Sequence, residues 1–417
     1  MESKEDNYEP KLGKCGLRNI GNTCYMNSVL QLLLHCKPLI SFLMKKEETS
    51  NYIYYLEKTI QKSIATEVRK KRKLNEEDEV IIKREDIEEQ KKSSITVELS
   101  KMVDIIINKG ASTITPVSFK QSIDKKLSIF RGGSQQDAHE FIIYILDLII
   151  EETGVEIEAT INNIPEKLKY YQSLIKTFCE LEHKEQTPEI IEHKKSIKDM
   201  IMTFRSEHKE LINQYHGIKY LLSIYKKKYN PFIFQLKTLI INYIQCEECK
   251  NVMTNYEHTT LLQLYVSETL SGSFSQFVNP EKIENYNCEH CKEKRTITKT
   301  SRLWRLPSIL FIQLKRFQIL MNGRIVKNTT DTEIPMSIDL SSYCDDTMNT
   351  TETISKKYKL RGFSNHMGSL NGGHYTANCL CLVDNETWYE FDDSRVSRNT
   401  NKIIDTSNAY ILMYELE

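Results

Sequence analysis

Two hydrophobic rhythms divide this chain. Met26, Val29, Leu30, Leu33 and Leu34 recur at helical spacing after Cys24, which predicts a helix with one buried face. Gly21, Asn22 and Thr23 read as the turn before it, with Asn22 or Thr23 as the cap. The run breaks near Pro38, apolar positions over Phe42–Ile64 predict further helix, and Val97–Ile107 resumes an apolar pattern. Ala138, Phe141, Ile142, Ile145, Leu146 and Ile149 share another stripe. It follows a Gly132-Gly133 turn, and Ser134 and Asp137 stand before it at capping-box spacing. Residues 153–229 are charged and rich in Glu, Lys, His and Tyr, with Pro165 and Pro188 as punctuation. They predict an inserted helical region, a hairpin or a coiled-coil-like arm. From Pro231 the period drops to two. PFIFQLKTLIINYIQ, TTLLQLYV, RTITKTSRLW, SILFIQLKRFQIL, HYTANCLCLV, WYEFDD and AYILMYEL read as strands between turns. The class is α+β, with helices first and antiparallel sheet second.

Composition narrows the partners. The 417 residues suffice for one elaborate domain or two to three subdomains. Lys plus Arg and Asp plus Glu both number 57, so no charge excess points to nucleic acid or a lipid surface. Mean hydropathy is −0.47, and the longest apolar run, Phe141–Ile150, is too short to span a membrane. Residues 1–14 read as a disordered lead without a signal-peptide pattern. Eleven cysteines, an odd number, argue against a disulfide scaffold and for a cytoplasmic and/or nuclear protein. Arg69–Lys73 is a basic run within a flexible insertion over about Glu67–Ser94; it reads first as a solvated loop and second as a nuclear import signal.

The candidate chemistry is a nucleophile, a base and a metal clamp. A thiol at a helix start meets unpaired backbone N–H groups and the positive end of the helix dipole, which favour thiolate at Cys24. Standing alone, such a cysteine is an inert core residue. What changes the reading is His374, at a junction between the glycine-rich loop SLNGG and a strand, where its ring can reach across to a nucleophile. His366 is the rival, placed by its position in a wall or a core hydrogen bond. Asp392 and Asp393 end the WYEFDD strand, and a carboxylate there can accept the second ring N–H of His374. Alternation in that strand buries either Tyr389 with Phe391 or Trp388 with Glu390. Asp137 and Glu140, three apart on one helical turn, suit the dipole and could also receive a cationic group. Cys246, Cys249, Cys288 and Cys291 form two CxxC knuckles separated by 38 residues. Four thiolates from two such turns make a closed, structural zinc site at the ends of two β fingers. His290, inside the second knuckle, reads as exposed.

With these residues in place the chain resembles the ubiquitin-specific proteases, a family of cysteine-type deubiquitinating enzymes. GLRNIGNTCYMNSVLQ, SQQDAHEF, the two knuckles, LPSILFIQLKRF, NGGHYTA and WYEFDDSRVS match its boxes in order, over about Gly16–Leu416. The resemblance implies a papain-like right hand: a helical thumb (15–152), a helical insertion (153–230), β fingers tipped by zinc (231–300) and a β palm (301–416). It implies Cys24 as nucleophile, His374 as base, Asp392 as its orienter, Asn19 as oxyanion donor and Asp393 as a supporting carboxylate. Asp137 and Glu140 would meet the ubiquitin tail, and Tyr375 would narrow the channel over its Gly-Gly. The implied reaction is hydrolysis of the isopeptide or peptide bond after that Gly-Gly. Cleavage of another ubiquitin-like modifier and an inactive ubiquitin-binding scaffold stay open as alternatives.

Overall fold

The computed structural model describes residues 13–44, 94–162, 164–319, 322–345, 347, 355–369, 372–399 and 404–417. The basic run Arg69–Lys73, nearly all of the insertion around it, the helix expected beyond Met44 and most of the N-terminal lead lie outside these residues.

The thumb comprises β1 (Gly16–Leu17), α1 (Cys24–Leu34), α2 (Lys37–Met44), α3 (Ile95–Ile107), β2 (Thr113–Ile114), α4 (Val117–Lys126) and α5 (Ala138–Thr153). The break between α1 and α2 falls at His35–Cys36, and Pro38 sits in the first turn of α2, where its missing N–H costs nothing. All eleven residues of α1 are buried, not one face alone. The helix lies between α5 and the palm sheet, so its polar positions are enclosed as well. Gln31 donates to the Cys15 carbonyl at 2.8 Å, and Tyr25 packs edge-on against Phe141. The cap of α5 differs from the expected box. Asp137 is itself the N-cap and accepts from the His139 N–H at 2.7 Å, while Ser134 lies outside the helix.

Glu152 joins α5 to α3. Its buried carboxylate accepts from Ser94 Oγ, Thr96 Oγ1 and the backbone N–H groups of Ile95 and Thr96 at 2.6–3.0 Å, and from Lys126 Nζ at 2.5 Å. A negative charge is thus seated on the positive end of α3.

The insertion forms three helices, α6 (Glu166–Glu182), α7 (Pro188–Glu207) and α8 (Lys209–Lys227). Tyr171, Leu174, Leu181, Ile197, Ile201, Phe204 and Ile212 give it a small core of its own. Val155 and Tyr229 exchange two backbone hydrogen bonds, 2.9 and 2.7 Å, and close its base. Pro231–Phe234, read as strand from its apolar run, is instead a helical turn, α9. Asn230 Oδ1 accepts from the N–H groups of Phe232 and Ile233, and Pro231 occupies the first position.

The β half makes two large sheets and one two-stranded ribbon (its ninth and tenth strands) from β3 (Thr238–Cys246), β4 (Val252–Thr259), β5 (Leu261–Tyr265), the helix α10 (Leu270–Val278), β6 (Glu281–Cys288), β7 (Glu293–Arg305), β8 (Ile309–Lys315), β9 (Phe317–Ile319), β10 (Ile325–Lys327), β11 (Ser337–Asp339), β12 (Lys357–Ser369), β13 (Gly372–Leu380), β14 (Trp388–Asp392), β15 (Arg395–Asn399) and β16 (Ala409–Leu416). The fingers have the order β4-β3-β7-β6, and the palm runs β15-β14-β13-β12-β16-β8-β5. Within the segment expected to be finger, β5 and α10 belong to the palm: β5 pairs with β8, and Leu270 and Phe274 of α10 enter the palm core. The β5–β8 pairing is parallel, a departure from the antiparallel expectation. Burial in β14 follows neither expected parity. Trp388 and Phe391 are both buried, three apart, because each face of the strand is covered by a different core.

The four knuckle cysteines converge at the finger tips, their sulfurs all within 4.8 Å of one another. Cys246–Cys291 and Cys249–Cys288 stand at 4.0 and 3.8 Å. Tetrahedral zinc with bonds of about 2.3 Å sets sulfurs about 3.8 Å apart, so the cluster fits a structural zinc ion. His290 is exposed, as expected.

Two outcomes follow. Elemental analysis should find one zinc per chain, lost in Cys288→Ser together with several degrees of Tm, roughly; a folded chain that never carries metal would contradict this. Glu152→Ala, which strands two hydroxyls and two N–H groups in the core, should lower unfolding free energy in urea by about 2–4 kcal/mol, and a change below about 0.5 kcal/mol would show that the cap carries no weight.

Candidate active site

Cys24 is the first residue of α1, and Thr23 is the N-cap by position. The Thr23 hydroxyl does not cap the helix. It accepts from the Ile20 N–H at 3.1 Å and donates to Asn19 Oδ1 at 3.2 Å. Asn19 Oδ1 also accepts from the N–H groups of Gly21 and Thr23, at 3.1 and 3.0 Å. Three donors on the oxygen fix the amide, so its nitrogen must face the opposite way.

That nitrogen donates to Asp393 Oδ2 at 2.9 Å, and Asn27 Nδ2, one turn after Cys24, donates to Asp393 Oδ1 at 2.7 Å. The Leu17 N–H donates to the Asp393 carbonyl at 2.8 Å. Asp393 has φ of +51°, a strained turn held by these partners. Gly16 allows the approach: a Cβ there would lie 2.4 Å from the Ser394 carbonyl oxygen. Asn27 was not singled out from sequence. The available signal was a polar residue on the otherwise apolar stripe of α1.

His374 is the third residue of β13. Its Nε2 lies 2.6 Å from Asp392 Oδ1, with both side chains half-exposed. Its ligating atoms and those of Asp392 and Asp393 all lie within 4.8 Å. Nδ1 makes no hydrogen bond among the described residues, and none joins the ring to Cys24 Sγ. What brings them near is packing: β13, the strand of His374 and Tyr375, lies against α1, whose first residue is Cys24. His366 is buried in the wall rather than hydrogen-bonded. Its Nδ1 has no partner among the described residues, and its ring packs on Tyr375 and Phe317, at 4.5 and 5.4 Å.

The thiol corrects one expectation. Burial raises the Cys24 pKa above the ordinary cysteine value. The Tyr375 N–H opposes this, the Asp393 charge adds to it, and the N–H groups of Tyr25 and Cys24 itself lower it again. Loss of water outweighs the helix start, so the free protein holds a neutral thiol.

The two acidic residues of α5 part ways. Glu140 is exposed in the first turn, while Asp137 is half-buried and accepts from Tyr410 Oη at 2.9 and 2.8 Å. Tyr410 in turn accepts from Gln313 Nε2 at 2.9 Å. The Tyr375 ring is 5% exposed and stands between His366 and Tyr410. Two further bridges were not foreseen. Asn22 Nδ2 donates to the Gly133 carbonyl at 2.8 Å, and Gln135 exchanges two hydrogen bonds of 2.7 Å with the backbone of Gly373. The segment before α5 therefore ties the loop of Cys24 to the residue before His374.

This geometry can be set beside known proteins. The family profile described as ubiquitin carboxyl-terminal hydrolase matches residues 15–414. The ubiquitin carboxyl-terminal hydrolase Usp2 of Drosophila melanogaster is 26% identical over 98% of this chain, which spans 35% of that protein's length. A probable ubiquitin carboxyl-terminal hydrolase of Acanthamoeba polyphaga mimivirus, R319, is 28% identical over 96% of this chain and 90% of its own length. Among solved structures, Ubp8 in a SAGA DUB module bound to ubiquitin aldehyde superposes with a TM-score of 0.63 at 21% identity, covering 98% of this chain and 71% of that one. The match over nearly the whole length, on a right-hand fold with a cysteine-clamped finger sheet, settles the assignment: the chain belongs to the ubiquitin carboxyl-terminal hydrolase family, among the ubiquitin-specific proteases, which are cysteine-type deubiquitinating enzymes.

Proposed function

We propose that this chain is a thiol-dependent deubiquitinase that hydrolyses the bond after the C-terminal Gly-Gly of ubiquitin, with Cys24 as nucleophile. The observation that carries this reading is the hydrogen-bonded pair His374–Asp392, standing on strands that pack against the helix begun by Cys24. With Nε2 held by Asp392, Nδ1 is the nitrogen left to take the thiol proton. Since the free thiol is neutral, a seated substrate that brings ring and sulfur together creates the thiolate where it is used. The thiolate adds to the carbonyl of the terminal glycine. The oxyanion is met by the Asn19 N–H that Asp393 does not engage and by backbone N–H groups at the start of α1. The tetrahedral adduct collapses to a thioester as His374 gives its proton to the leaving lysine amine. His374 then takes a proton from water, which hydrolyses the thioester and restores the thiol.

Asp393 supports the donor side by orienting Asn19 and Asn27, and Asp137 and Glu140 suit the basic ubiquitin tail. Zinc, when bound by the four cysteines, supplies a closed structural clamp far along the fingers and takes no part in the chemistry. None of the eleven cysteines is joined in a disulfide, which suits a reducing compartment, the cytoplasm or nucleus.

Two measurements test the reading. A fluorogenic amide on the ubiquitin C-terminus should be turned over by the chain, and Cys24→Ala should cut kcat/KM by about 10⁴-fold or more. Equal turnover of other ubiquitin-like modifiers, or ubiquitin binding without turnover, would contradict it. In the ubiquitin-free chain, iodoacetamide modification of Cys24, followed by mass spectrometry, should climb with pH through a midpoint above that of an ordinary cysteine, because a raised pKa keeps the thiolate scarce at neutral pH. A plateau at lower pH would mean that a thiolate–imidazolium pair already exists.

A further inference from the structure

The helical arm has a seam with the fingers that the chemistry above does not use. Gly217, in the middle of α8, lies against Trp304 of β7: a Cβ there would stand 2.2 Å from the indole. Glycine inside a helix is unfavourable, so its presence answers to that contact. Tyr256 of β4 donates to the Asn213 carbonyl at 2.6 Å. Tyr220 Oη lies within hydrogen-bond distance, 2.9 Å, of His258 Nδ1, and desolvation holds that imidazole's pKa down to about 4, so the ring is neutral. Leu239, Ile241, Tyr256 and Trp304 form one apolar layer with Tyr220 and Leu221 of α8. The same sheet face is tied to the palm. Tyr243 donates to Asp345 at 2.7 Å, Trp304 donates to Thr347 at 3.0 Å, and the Asp345 N–H donates to the Leu303 carbonyl at 2.8 Å.

Alternation puts different residues on the opposite face. Asn242 pairs with Asn255 and Ile240 with Glu257, and both Asn255 and Glu257 are exposed. The finger sheet is therefore covered by the arm on one side, while its other side is exposed and polar along the edge strand β4 and buried at Ile240, Asn242 and Leu303 beside the palm. A thin sheet of this kind twists and bends freely unless something packs on it.

We propose that the three-helix arm is a brace. By gripping β4 and β7 from behind, on the face that Tyr243 and Trp304 tie to residues 345–347, it fixes the angle at which the open finger face meets the globular body of ubiquitin. This rests on ubiquitin being the substrate. The brace acts through the sheet and touches no reacting atom, so it governs KM and leaves kcat alone.

The test uses the full chain, the fluorogenic ubiquitin amide and hydrogen exchange over residues 238–259. Gly217→Leu forces α8 off Trp304 and should raise KM about fivefold or more, with kcat within about twofold of wild type and faster exchange in β3 and β4. Tyr256→Phe, which keeps the ring and removes one hydrogen bond, should move KM the same way by about two- to threefold. Ile191→Glu, on the exposed outer side of α7, should change neither. If Gly217→Leu fails to fold, Tyr256→Phe decides. Wild-type KM with accelerated exchange would overturn the brace and leave the arm as elaboration. A wild-type chain inactive on ubiquitin would instead overturn the functional reading on which the brace depends.

Discussion

The carboxylate of Asp393 joins two parts of the chain more than 360 residues apart, and the cleft takes its shape from that junction. One oxygen holds Asn19 and the other holds Asn27, while the backbone of the same residue holds Leu17. These contacts fix the loop before Cys24, the first turns of α1 and the end of β14 against one another. A buried or half-buried carboxylate with two amide donors is stable only when both are present, since losing either strands charge. The positive φ at residue 393 and the absence of a side chain at Gly16 are the local concessions that let the two segments approach.

In the mechanism proposed, the site around this junction is built in two grades of readiness. The donor side is complete, with Asn19 oriented by three donors and one acceptor. The nucleophile side is not. Desolvation exceeds the help from nearby N–H groups, so the thiol waits neutral beside Tyr375 while His374 is paired with Asp392. The bridges from Asn22 to Gly133 and from Gln135 to Gly373 hold the walls together across the space a tail would enter. An idle thiolate is exposed to oxidation, and a thiol that ionises only when the base closes on it avoids that hazard.

Much of this was legible in the residues. Helical periodicity located α1 and α5 because their apolar stripes repeat over several turns, and the paired CxxC spacing pointed to a closed metal clamp. What was not legible is tertiary. Pro231–Phe234 looked like strand because an apolar run carries no period, and only the Asn230 cap made it helix. The burial of Trp388 with Phe391 depends on two cores meeting on one strand. The direction of the Cys24 shift could not be read from its place on a helix, because burial is set by the palm sheet packed over it. Asn27 and Gln135 matter through partners 366 and 238 residues away, and no local pattern encodes those.

The most direct test is the structure of the chain trapped by a ubiquitin bearing a C-terminal electrophile. The account predicts a covalent bond to Sγ of Cys24, His374 Nδ1 turned to within hydrogen-bond reach of that sulfur while Nε2 stays on Asp392, and Asn19 Nδ2 facing the former carbonyl. An adduct on another cysteine, or a His374 ring still turned from a modified Cys24, would contradict it.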